Sequence, residues 1–152
     1  MRRFSRFLAV VLALAFVFAG VEALAFGDMS KQKGGNGGKA ASVDKTPVEK
    51  AKGPDSHTVA EIYKKSAELD KKKVVVRGRV TKVSAGIMGK NWVHLQDGSG
   101  DASSGTNDLV ATSQDLPSVG NVVTARGTLY KDKDFGSGYK YKAIVEEATF
   151  KP

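Results

Sequence analysis

The chain has 152 residues and a mass of 16.1 kDa, room for one hydrophobic core and not for two. A hydrophobic fraction of 41% and a charged fraction of 26% are ordinary for a globular protein, and 17 glycines point to turns and β-structure rather than a helical bundle. A net charge of +8 favours polyanionic partners without choosing among them, and the absence of cysteine excludes disulfides, thiolate metal sites, thiol catalysis, c-type haem attachment and a lipoprotein anchor.

Arg2, Arg3 and Arg6 precede the apolar run Phe7 to Val21, and Ala23-Leu24-Ala25 supplies the small residues that a signal peptidase reads. This pattern predicts a cleavable signal peptide over residues 1–25, and hence an exported, periplasmic protein. The run is shorter than the roughly 20 residues of a membrane-spanning helix, so no stable span is expected after cleavage; retention of the segment as an anchor is the alternative. Loss of Arg2, Arg3, Arg6 and Glu22 leaves 21 basic against 15 acidic residues, still a charge of +6.

Residues 26–57 are rich in Gly, Lys, Ser, Asp and Pro, with Gly34-Gly35-Asn36-Gly37-Gly38 at their middle, and read as a disordered basic tether. The ordered domain is expected over 58–152. Thr58-Val59-Ala60-Glu61 is a capping box, and Val59, Ile62, Tyr63, Ser66 and Leu69 form one stripe of a single short helix that stops near Asp70.

From Lys73 to Val83 the period changes to two. Val74, Val76, Gly78 and Val80 fall on one face, and Val75, Arg77, Arg79, Thr81 and Val83 on the other. Ser84 to Lys90 reads as a loop, Trp92 to Gln96 as a second strand, and Asp97-Gly98-Ser99-Gly100 as a turn. A third strand is expected around Leu109 to Thr112. A fourth spans Val122 to Tyr130, with Val123, Ala125, Gly127 and Leu129 inward. A loop over Lys131 to Gly138 then leads to a fifth strand from Tyr139 to about Glu147. Val76-Arg77-Gly78-Arg79-Val80 is echoed by Ala125-Arg126-Gly127-Thr128-Leu129, and a glycine inside each strand marks a bend of the kind a small closed sheet needs. The predicted fold is all-β, a five-stranded Greek-key barrel of the OB type with one short N-terminal helix.

Val76-Arg77-Gly78-Arg79-Val80, followed by Lys90-Asn91-Trp92-Val93-His94-Leu95-Gln96-Asp97-Gly98-Ser99-Gly100, resembles the first two strands and turn of OB-fold domains of the anticodon-binding type. It is more closely similar to a group of small exported bacterial OB-fold proteins, over roughly residues 58–150. The resemblance implies a binding face on strands two and three, flanked by the loops at Ser84 to Lys90 and Lys131 to Gly138. Single-stranded nucleic acid or another polyanion is the implied ligand.

Strand parity puts Trp92, His94 and Gln96 outward on that face, near Lys90, Arg77, Arg79 and Lys82. Two arrangements are open for Trp92: an exposed platform on which a base stacks, or a ring covered by a second small core. Lys133 and Phe135 in the last loop either clamp a ligand or form part of a solvated hairpin. His57 and His94 have no metal-ligand spacing, and no hydrolase elbow, phosphate loop or carboxylate pair is present, so neither an enzyme, nor a metal, nor a cofactor is expected. The expected function is an exported, non-enzymatic module that holds an oligomeric anionic ligand. The alternative is a periplasmic accessory protein that docks to an envelope redox or stress-response protein, haem handling included.

Overall fold

The computed structural model describes residues 44–152. The expected signal peptide and the tether up to residue 43 lie outside the described residues. The elements are α1 (Val59–Lys64), α2 (Ser66–Leu69), β1 (Lys73–Ile87), β2 (Lys90–Gln96), β3 (Leu109–Ser113), β4 (Val122–Asp134) and β5 (Lys140–Lys151). The five strands form one sheet that closes in a ring in the order β1-β2-β3-β5-β4. Every neighbouring pair is antiparallel except β3 with β5.

Alternation in the sequence decides what fills the ring. Val74, Val76, Val80, Val93, Leu95, Leu109, Ala111, Val123, Ala125, Leu129, Ala143 and Val145 make up the interior, and Val59 and Ile62 of α1 join them fully buried. Each valine, leucine or isoleucine among them contributes about 1.5–3 kcal/mol by leaving water, and each alanine less. Trp92, Val110 and Ile144 form a second, smaller cluster on the outside, with Tyr130, Phe135 and Tyr141 packed against it.

The strand β1 serves two neighbours. Its first half pairs with β4 from Lys73 to Arg79, and its second half with β2 from Arg79 to Ile87. At the crossover a β-carbon on Gly78 would sit 3.3 Å from the Gln96 carbonyl oxygen, so this position has little room for one. The register slips at Thr81 rather than at the glycine. That bulge turns Val83 inward opposite Val93, against the core, which corrects the expectation that Val83 faces out with Arg77 and Arg79. In the echoed segment, a β-carbon on Gly127 would fall 2.6 Å from Val145 Cγ1 and 2.7 Å from the Glu146 carbonyl oxygen. The β4–β5 register shift lies at the same place.

Three further expectations are corrected. The single helix is two, interrupted at Lys65, whose backbone leaves the helical region at φ −104° and ψ 13°. The loop expected over Ser84 to Lys90 shrinks to Met88-Gly89, both at positive φ, because β1 runs on to Ile87 and β2 starts at Lys90. The first half of the loop expected over Lys131 to Gly138 is strand, since β4 continues to Asp134.

Residues 44–57 carry no helix or strand but follow the ring closely. The Val48 N–H donates to the Asp97 carbonyl at 3.0 Å, the Val75 N–H to Asp55 at 2.8 Å, and the His57 N–H to Val75 at 2.9 Å. Ser56 makes a parallel bridge with Val75, on the edge of β1 that β4 does not use. The segment thus satisfies backbone groups that an open strand edge would leave to solvent or to another chain.

Candidate anion-binding groove on the outer face

The turn after β2 has a structural task. Asp97 is buried; its Oδ2 accepts the Val59 N–H at 2.8 Å, and Ser99 Oγ accepts the Ala60 N–H at 2.9 Å. Thr58 and Glu61 close the capping box, so the first amides of α1 are satisfied and the helix is seated beside the turn. The Asp-Gly-Ser-Gly sequence therefore fastens α1 to β2.

Outward residues of β2 divide between two surroundings. Trp92 faces out of the ring, as parity requires, yet is only 5% exposed. Phe135 meets it edge-on at 5.0 Å between ring centroids, Tyr141 stacks at 5.7 Å, and the indole N–H donates to the Ile87 carbonyl at 2.8 Å. Of the two arrangements open for Trp92, the covered ring is the one found: the long β4–β5 hairpin brings its own aromatics over the indole. Lys90 and Lys133 are engaged at the same place, each 3.2 Å from the buried Glu146 carboxylate, and Lys133 Nζ also lies 4.7 Å from the Tyr130 ring centroid. Four of the expected contacts, Lys90, Trp92, Lys133 and Phe135, thus belong to a packed exterior cluster.

His94 and Gln96 converge on Asp108, just ahead of β3. His94 Nδ1 is 2.6 Å from Asp108 Oδ2, and Gln96 Nε2 donates to Oδ1 at 3.1 Å. Burial pushes the Asp108 carboxyl up, but the bonds from His94 and Gln96 and the His94 charge outweigh it and hold the group below the ordinary carboxylate value. Asp108 escapes a reading by strand pattern because it sits in a polar stretch. Its one signal is register: Leu95 pairs with Leu109, so the residue before Leu109 falls beside Gln96. Lys82 pairs with His94 across β1 and is exposed.

Beside this trio lies a groove of about 510 Å³ lined by Asp44, Lys45, Thr46, Arg79, Thr81, Gln96, Gly98 and Asn107. Arg79 is its fixed cation. One terminal nitrogen lies 3.2 Å from Asp44 Oδ2, the other donates to the Gly120 carbonyl at 3.1 Å, and the side chain is 16% exposed. The two terminal nitrogens of the guanidinium are thus engaged by a carboxylate and by a carbonyl, both good acceptors for its planar donors. Arg77 does not line this groove; it stands two residues earlier on the same side of β1, opposite Thr124 of β4. Among the described residues no group of three or more His, Asp or Glu has the geometry of a metal site.

Comparison with protein-family models, with characterised proteins and with solved structures finds no match to this chain.

Proposed function

We propose that this protein is a non-enzymatic binding module, built on a Greek-key barrel of the OB type, that holds an oligomeric anionic ligand in the groove around Arg79. Single-stranded nucleic acid is the ligand type that such a fold implies. The observation that carries the reading is that Arg79 already holds an anion, the Asp44 carboxylate, at 3.2 Å in a groove otherwise lined by Thr46, Thr81, Gln96 and Asn107. An incoming phosphate or carboxylate would exchange with Asp44, and the hydroxyl and amide groups would bind the polar atoms beside it. Lys45 and Lys82 add exposed charge nearby. Recognition would run through charge and hydrogen bonds, since the indole that could have stacked a base is covered.

Fluorescence anisotropy with labelled single-stranded DNA, RNA and anionic glycans tests the proposal. The expected result is binding that weakens steeply as salt rises, and an Arg79→Gln variant about tenfold weaker, the loss of one charge-assisted hydrogen bond. No binding of any of these probes at low salt overturns it. We place the module in the bacterial envelope on the strength of the leader-like N-terminus; N-terminal sequencing of the periplasmic fraction, with a start at Phe26, is the corresponding test.

A further inference from the structure

The echo of Arg77-Gly78 by Arg126-Gly127 acquires a spatial meaning in the folded chain. β1 and β4 are antiparallel, with Arg77 opposite Thr124 and Val75 opposite Arg126. The two arginines therefore stand diagonally on the same outer face, a separation of about 7–8 Å that long side chains bridge readily. Between them lies a groove of about 320 Å³ lined also by Glu49, Lys50, Ala51, Lys52, Val75 and Thr124.

Charge in this groove is unbalanced. Lys50 is committed to Glu61 at 2.7 Å, but no carboxylate among the described residues lies within ion-pair distance of Arg77, Arg126 or Lys52. The polar partner that Arg77 has is the Glu49 carbonyl, at 3.5 Å. Arg126 is exposed and Arg77 half-buried. Two guanidiniums with free donors around one depression match the oxygens of a phosphodiester better than a dispersed set of lysines does. Arg77 also stands two residues from Arg79 on the same side of β1, a rise of about 6.6 Å along the strand. The two grooves thus adjoin across one strand, and a chain with a charge on every unit can cross from one to the other.

We propose that the groove between Arg77 and Arg126 is a second anion subsite, which takes phosphate groups of a single-stranded nucleic acid whose neighbouring phosphates occupy the Arg79 groove. The inference rests on the proposed function and adds to it a direction of the strand, from β2 over β1 to β4, and a lack of base preference. The test uses labelled oligothymidylates of about 4 and about 16 nucleotides, the span of site sizes for such barrels. Each is titrated at several salt concentrations against the full chain, Arg77→Gln/Arg126→Gln, Arg77→Lys/Arg126→Lys and Arg79→Gln. The double glutamine variant should lower the log–log salt slope for the long oligomer by about 1.4, at about 0.7 per charge removed. It should also erase the advantage of the long oligomer over the short one, and the double lysine variant should restore both. Unchanged slope and length dependence in the double glutamine variant, with binding still weakened in Arg79→Gln, overturns the second subsite and leaves the first standing. Failure of the unaltered chain to bind either oligomer removes both, and tighter binding of an anionic glycan than of the long oligomer overturns the assignment to nucleic acid. Thermal melts of each variant establish that these surface changes leave the fold intact.

Discussion

His57 and Asp108 are the residues through which acid should act on this fold, and they do so in separate ranges. The His57 side chain is 12% exposed and its Nδ1 has no hydrogen-bond partner. Burial, aided by Lys65 and Lys50 and opposed by Glu61, lowers its pKa below 6.5. The unfolded chain therefore takes up a proton first, and stability should begin to fall as pH drops through about 6.5. Asp108, also depressed in the fold, adds a second loss once pH passes below the unfolded aspartate value of about 3.9. Urea denaturation across this range should show two acid limbs, with His57→Gln removing the upper and Asp108→Asn shrinking the lower, to which the depressed carboxyls of Asp44, Glu61 and Asp101 also contribute. A profile in which neither substitution alters its own limb contradicts the assignment. Neither role can be read from residue order alone. His57 lies in a stretch whose composition suggests a solvated linker, and its burial comes from the pairing of Ser56 with Val75.

At the scale of elements, the strands were readable wherever one face is buried. Val74, Val76 and Val80, and again Val123, Ala125 and Leu129, alternate because the ring interior demands it. Reading failed at the hairpin ends. Ser84 to Ile87 and Lys131 to Asp134 look like loops because they are polar or glycine-containing, yet a two-stranded ribbon that pairs its own backbone needs no apolar face. The longer β4–β5 ribbon is what converts the outward Trp92 from an exposed ring into part of a packed cluster. Its anchor is the buried Glu146 carboxylate between Lys90 and Lys133. Glu146→Gln should therefore loosen the ribbon and leave the ring closed: acrylamide quenching of Trp92 fluorescence should rise, its emission should move to longer wavelength, and far-ultraviolet circular dichroism should stay unchanged. Because both lysines are more than one-third exposed, water compensates part of the loss and the stability change should stay within about 1 kcal/mol. Unaltered quenching would show that Phe135 and Tyr141 hold the cover without the ion pairs.

For the molecule as a whole, composition marks a boundary that the packing does not respect. The glycine- and lysine-rich character that suggests a linker extends to His57, whereas contacts with the ring begin as early as Asp44 and Val48. Three backbone hydrogen bonds, from Val48, His57 and Val75, and the close approach of Pro47 to Gly98 join the segment to β1 and to the end of β2. At about 0.5–1.5 kcal/mol for each bond, less the entropy of ordering an irregular strap, the net contribution is on the order of 1–2 kcal/mol. A chain beginning at Thr58 should consequently melt roughly 4–16 °C below one beginning at Asp44, at about 4–8 °C per kcal/mol for a domain of this size. It should also exchange the Val75 amide with solvent faster, since Asp55 is that amide's acceptor. Equal melting temperatures would mean that the strap leaves the ring's stability unaffected, and that the free edge of β1 is as well satisfied by water as by residues 55–57.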